Sequence, residues 1–110
     1  MYSLEPKSVL KIYCDTTDKK DSIALWEYVL ESSKEHNLAG ATVYKAVAGL
    51  GEHKQIHTFE LVSLSNTMPI VIEIIDSKDK IESFLESVVS NLKDVFVTLD
   101  TTNKVVVKEQ

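Results

Sequence analysis

The sequence predicts an α+β domain built as a split βαβ, or ferredoxin-like, unit. The expected architecture is βαββαβ: one antiparallel sheet with both helices on one face and an extra C-terminal strand. Three observations predict it. Segments of β-type and helical periodicity follow one another as strand, helix, strand, strand, helix, strand. The run Ile70-Val71-Ile72-Glu73-Ile74-Ile75 is too uniformly apolar for a strand with one wet face, so it reads as a central strand covered on both sides. Strands elsewhere also carry apolar residues on both faces, whereas two helices cover only one. The second face is therefore expected to meet another subunit.

At 110 residues the chain holds one core. The domain is assigned to 8–110, with 1–7 as a loose lead-in. A net charge of −5 speaks against electrostatic capture of nucleic acid. No apolar run approaches the ~18–20 residues needed to span a bilayer, so no membrane insertion is expected. Met1-Tyr2-Ser3-Leu4-Glu5-Pro6-Lys7 lacks the apolar core of a signal peptide. With one cysteine, Cys14, and hence no internal disulfide, this gives a cytoplasmic expectation. All 12 basic residues are lysines. An anion would thus be held by lysine point charges, backbone N–H groups or histidine, not by a guanidinium fork.

Val9 to Cys14 is rich in β-formers and stops at Asp15-Thr16-Thr17-Asp18. Leu10, Ile12 and Cys14 share one face; Val9, Lys11 and Tyr13 share the other. Cys14 reads as a small core residue. Asp21 or Ser22 is expected to cap a first helix, in which Ile23, Trp26, Val29, Leu30 and Ser33 recur at helical spacing. It ends near Asn37-Leu38, and Gly40 leads into a strand that runs to Gly49-Leu50-Gly51. Ile56 begins the return, and Pro69 opens the apolar run at a position that removes no ladder bond. Ser77 is placed to cap a second helix, with Ile81, Phe84, Leu85, Val88, Val89 and Leu92 on its apolar side. Val95–Leu99 and Lys104–Lys108 are expected as a hairpin turned by Asp100-Thr101-Thr102-Asn103.

The three glycines of the chain, Gly40, Gly49 and Gly51, bracket one stretch. Each is expected to serve positive φ or a close approach. Lys45 lies on the strand before the Gly-x-Gly corner, and His53 and Lys54 follow it. Backbone N–H groups at such a corner can form an anion-holding nest. Lys45, Gly49, Gly51, His53 and Lys54 are accordingly the candidate contacts for a phosphate or other small anion, and an ordinary hairpin loop is the alternative. Glu73, alternating with isoleucines, must pair, face a subunit boundary or serve a ligand. His53 and His57 sit four apart but off a helix, so no intrinsic metal site is assigned. No nucleophile elbow or paired catalytic carboxylates appear, which argues against an enzyme.

Gly40-Ala41-Thr42-Val43, Gly49-Leu50-Gly51, Ile56-His57-Thr58, Leu64-Ser65 and the segment Pro69 to Asp76 together resemble the uncharacterised PII-like family, a domain of unknown function, from about Val9 to Leu99. More distantly, the order and spacing resemble the PII nitrogen-regulatory signalling proteins, with Thr42-Val43, His57-Thr58 and Ile72-Glu73 in matching places. The resemblance implies a homotrimer with the sheets lining its interior and an adenine nucleotide held in clefts between subunits. It puts Thr42 and Glu73 near the base, and Gly49 and Gly51 near the phosphates. It also implies a signalling role through an unknown target protein, with no required cofactor. The chain departs from the pattern in Lys45-Ala46, where the family has Arg-Gly, and in Leu50, where it has an aromatic. Lys93-Asp94 leaves no room for a glycine-rich phosphate loop, and the arginines that PII proteins place on the last strand are absent, with Lys104 and Lys108 the only candidates to replace them. Two alternatives accompany this reading: a ligand-free trimeric interaction module, and a metal-responsive trimer of the divalent-ion tolerance type using His53, His57 and Cys14.

Overall fold

The computed structural model describes residues 1–50, 56–58 and 67–109. In chain order the elements are β1 (Tyr2–Asp15), β2 (Lys19–Lys20), β3 (Ile23–Ala24), α1 (Leu25–Glu35), β4 (Gly40–Lys45), β5 (Ala48–Leu50), β6 (Ile56–Thr58), β7 (Pro69–Asp76), α2 (Lys78–Val88) and β8 (Phe96–Val107). A 3-10 turn, Val89–Asn91, follows α2. The main sheet runs β4-β7-β1-β8, with every neighbouring pair antiparallel. This is the strand order of the expected split βαβ plan, with β5 and β6 paired between β4 and β7.

The alternation along β7 decides the layering. Ile70, Ile72, Ile74 and Asp76 are buried, while Val71, Glu73 and Ile75 are only partly covered. Ile72 and Ile74 stand opposite Ile12 and Leu10 on β1, and all four are sealed from solvent. Leu25 and Val29 of α1 and Ile81, Phe84 and Val88 of α2 close over them. Both helices therefore lie on one face, and among the described residues no helix covers the other. Truncating the fully buried Phe84 to alanine is expected to cost about 3–5 kcal/mol.

Helix α1 starts later than the capping residues suggested. Asp21 has a left-handed φ of 56° and turns a short β2–β3 hairpin, in which Lys20 stands opposite Ile23. The helix begins only at Leu25, whose N–H donates to the Asp18 carbonyl (2.8 Å), and its N-cap is Ala24. Ile23 is consequently 44% exposed rather than on the apolar side. At the far end the left-handed residue is Asn37 (φ 55°), and Leu38 N–H returns to the Ser33 carbonyl. Gly40 needs no glycine geometry: its φ is negative, and a Cβ there would meet only the Ile75 carbonyl oxygen, at 4.0 Å. The expected strand from Gly40 to the glycine corner is two strands. β4 ends at Lys45, and Ala46 N–H turns onto the Pro69 carbonyl (2.9 Å).

The C-terminal hairpin is corrected to a single strand. Asp100-Thr101-Thr102-Asn103 does not turn, because β1 reaches back to Tyr2 and offers those residues a partner: Val9↔Asp100, Ser8↔Thr101, Lys7↔Thr102 and Pro6↔Asn103. Ladder hydrogen bonds outweigh local turn propensity here. The same pairing corrects the lead-in, since residues 2–7 are the first half of β1. Pro6 is tolerated because β7 ends opposite Ser8 and leaves that edge of β1 open. In α2 the expected apolar side holds except at Val89, which the 3-10 turn leaves 52% exposed.

Asp76 joins the two helix–strand junctions. It is buried, and its carboxylate accepts the Ala39 N–H (2.8 Å) and the Ser77 N–H (2.7 Å). Burial pushes its pKa up, but these two hydrogen bonds, with Lys80 and Lys7 nearby, more than offset it and hold the carboxyl below its ordinary value. A depressed carboxyl pKa contributes stability that is present above the unfolded pKa and lost as pH falls through the folded one. Asp76→Asn is expected to lower unfolding free energy by roughly 1–3 kcal/mol in urea titrations at pH 7. The deficit should shrink as pH falls below ~4.

Candidate ligand site on the open sheet face

Directly opposed residues of an antiparallel pair project to the same side of the sheet. The register therefore writes out the open face row by row. Thr42 stands opposite Glu73, Glu73 opposite Lys11, and Lys11 opposite Thr98. This polar row is flanked by Tyr44, Val71, Tyr13 and Phe96 on one side and by Ile75 and Val9 on the other. Tyr13 and Phe96 pack with ring centroids 5.7 Å apart and a tilt of 57°. An open depression of about 490 Å³ lies over Lys11, Tyr13, Glu73 and Thr98. Glu73 and Lys11, though opposite, form no ion pair among the described residues. The carboxylate and ammonium are thus both available to a ligand or to another subunit.

The structure brings together only part of the residue set named from sequence. Thr42 and Glu73 are neighbours on the open face. Lys45 is exposed at the end of β4 and stands opposite the buried Ile70, so it shares the side of Ala41 and Val43, across the sheet from Thr42. Gly49 lies in β5 opposite His57 of β6. Gly51, His53 and Lys54 lie outside the described residues. Lys11 was not singled out as a site residue, yet it adjoins Glu73. Its signal was present in the alternation of β1, which set Lys11 and Tyr13 across from the core residues.

Cys14 is buried among the core residues. Desolvation, reinforced by the carboxylates of Asp18 and Asp15, pushes its thiol up to about 12. A thiol so far from ionising is a poor nucleophile and a poor metal ligand. The metal-responsive alternative loses one of its three members on this ground. Among the described residues no three His, Cys, Asp or Glu side chains converge, and no helix is long and apolar enough to cross a membrane.

Comparison with known proteins agrees with this geometry. A family model, DUF190, described as Uncharacterized ACR, matches residues 7–104. A UPF0166 protein of Aquifex aeolicus is 39% identical over 82 residues, covering 74% of this chain and 78% of its own length. The UPF0166 protein MJ1524 of Methanocaldococcus jannaschii is 29% identical over 86 residues, covering 78% and 79%. Among solved structures, the nitrogen regulatory PII-like protein CPII of Thiomonas intermedia K12, bound to ADP, AMP and bicarbonate, superposes with a TM-score of 0.65. It has 16% identity, over 94% of this chain and 91% of that one. A candidate PII-like signalling protein of Thermus thermophilus gives 0.60 at 18% identity, over 94% and 92%. At these identities the structural neighbours establish the fold, which is PII-like.

The position of Cys14 makes a direct prediction. In the native protein at pH 8 a thiol reagent should label it at least roughly tenfold more slowly than in urea. Equal rates would place the thiol at the surface.

Proposed function

Because the chain belongs to the DUF190 family, we propose that it is a PII-like regulatory protein. It assembles as a homotrimer through the open sheet face and binds a small anionic ligand, an adenine nucleotide in the first instance, at the subunit boundary. It acts by binding rather than by turnover. The observation that carries this reading is the polar row Thr42, Glu73, Lys11 and Thr98, set among aromatic and aliphatic residues, several of them partly exposed, on a sheet face that no described helix covers. An interface there would desolvate Glu73 and Lys11, which then need one another, a neighbouring subunit or a ligand. The ADP and AMP bound by the Thiomonas neighbour supply the ligand class. Gly49, Gly51, His53 and Lys54 are the proposed phosphate contacts, with Lys45 approaching from the opposite side of β4.

That opposite placement favours a second reading, in which Thr42 and Glu73 only stabilise the assembly. The trimer is then a ligand-free module that docks a target protein. Thermal shift against ATP, ADP, AMP, cyclic dinucleotides and bicarbonate separates the two. A micromolar ligand binds with about −8 kcal/mol, and at 100 times its dissociation constant adds about 2.7 kcal/mol of stability. The expected outcome is a clear shift with an adenine nucleotide, reduced in Glu73→Gln and in Lys45→Ala, on a particle of three 12.3 kDa chains. A flat panel on an intact trimer would select the ligand-free module.

A further inference from the structure

Two adjoining rows of unlike chemistry cross the open face. Tyr44, Val71, Tyr13 and Phe96 form one. Thr42, Glu73, Lys11 and Thr98 form the next, two residues further along each strand, or about 6.8 Å away. The depression of about 490 Å³ spans both rows, and its size is that of a small-molecule site. Tyr13 lines it on one side and Val9 and Ile75 on the other, with Lys11, Glu73 and Thr98 between them. Tyr13 is 39% exposed, and its contact with the Phe96 ring orients it before any ligand arrives.

We propose that this depression holds a nucleobase, with the Tyr13 ring as its stacking platform and Glu73, Lys11 and Thr98 at its polar edge. The proposal rests on the adenine-ligand reading above and deepens it, by stating which part of the ligand enters the depression and on which residue it stacks. Three observations point to a base. First, an aromatic ring beside hydrogen-bonding side chains offers both a stacking surface and a readable edge, and stacking on a tyrosine is available to any base. Second, Glu73 and Lys11 stand directly opposite one another without forming an ion pair. The carboxylate can accept from an amino or ring N–H group, and the ammonium and the Thr98 hydroxyl can donate to a ring nitrogen or carbonyl. A nucleobase carries both kinds of group on one edge, whereas a simple aromatic acid does not. Third, the charge around the depression excludes phosphates. Among the described residues that line it, Lys11 is set against the carboxylates of Glu73 and Asp100. Lys7, the next lysine along the same face of β1, lies 3.8 Å from the Glu5 carboxylate. A polyphosphate placed here would meet more negative than positive charge. The uncharged end of a nucleotide therefore lies in the depression and its phosphates outside it.

The test is calorimetric titration of the full chain with adenosine, AMP and ATP, on wild type, Tyr13→Leu and Tyr13→Phe. Circular dichroism checks the fold and sedimentation the assembly. Tyr13→Leu keeps an apolar side chain but removes the ring. It is expected to weaken adenosine and AMP by the same factor, at least about fivefold, while Tyr13→Phe binds within about twofold of wild type. In the wild type, nuclear Overhauser contacts should join the Tyr13 ring protons to those of the adenosine base, a readout that needs no variant. Absence of binding by all three ligands overturns both this proposal and the adenine reading. Binding of AMP or ATP that Tyr13→Leu leaves unchanged, or an adenosine complex without contacts to Tyr13, overturns this proposal alone. So does a Tyr13→Leu chain that dissociates more readily but binds with unchanged affinity once assembled, which would give the ring to a second copy of the chain.

Discussion

Strand β1 has hydrogen-bonded neighbours on both sides, and almost every other feature follows from its alternation. Leu10, Ile12 and Cys14 go to the helices, so Val9, Lys11 and Tyr13 must go to the open face. Because the side-chain period is two, a slip of one residue against β7 would bury Lys11 under α2 and expose Ile12. The isoleucines of β7, opposite the core residues of β1, make that slip prohibitively unfavourable. The register then sets Lys11 beside Glu73 and Tyr13 beside Phe96 without any interaction having to hold them there. The polar row of the open face is in this sense a by-product of how the core packs.

The same constraint divides the candidate ligand contacts. Thr42 and Glu73 inherit the open face, while Lys45, three residues beyond Thr42, inherits the other. A ligand touching all three would have to wrap the end of β4, near the turn where Ala46 N–H meets the Pro69 carbonyl. Lysine suits that demand better than arginine would. Its ammonium is a point charge on a long flexible stem and needs no planar alignment with its partner. A chain without arginine loses geometric selectivity and gains reach.

Much of the fold was legible because the two helices and the four main strands each carry a clear period. Ile81, Phe84 and Val88 on α2 and the apolar run of β7 announce their roles unaided. Misreadings fell where a local preference met a distant partner. Asp100-Thr101-Thr102-Asn103 is good turn chemistry, but its partners, residues 6–9, lie some ninety positions away in sequence and no short window reveals the pairing. The start of α1 was misplaced because Asp21 does turn the chain, but into a hairpin rather than a helix. Gly40 misled in the opposite sense: the left-handed residue before β4 is Asn37, a residue that tolerates that region. At the site, pairing of Thr42 with Glu73 required the β4–β7 register, which periodicity alone does not give.

Among the described residues the outer edge of β8 has no strand beside it, and its sequence contains Val105-Val106-Val107, a segment of high β propensity. Such an edge is a template for runaway fibril growth. Two features blunt it. Lys104 and Lys108 bracket the valines with charge, in the manner of gatekeeper residues. Upstream, the Thr101 N–H is already engaged by the carboxylate of Asp100 at 2.8 Å, which removes one donor from those a foreign strand could use. Resistance of this edge to strand addition therefore rests on the two cations that flank the C-terminal valines and on one donor turned back onto its own strand.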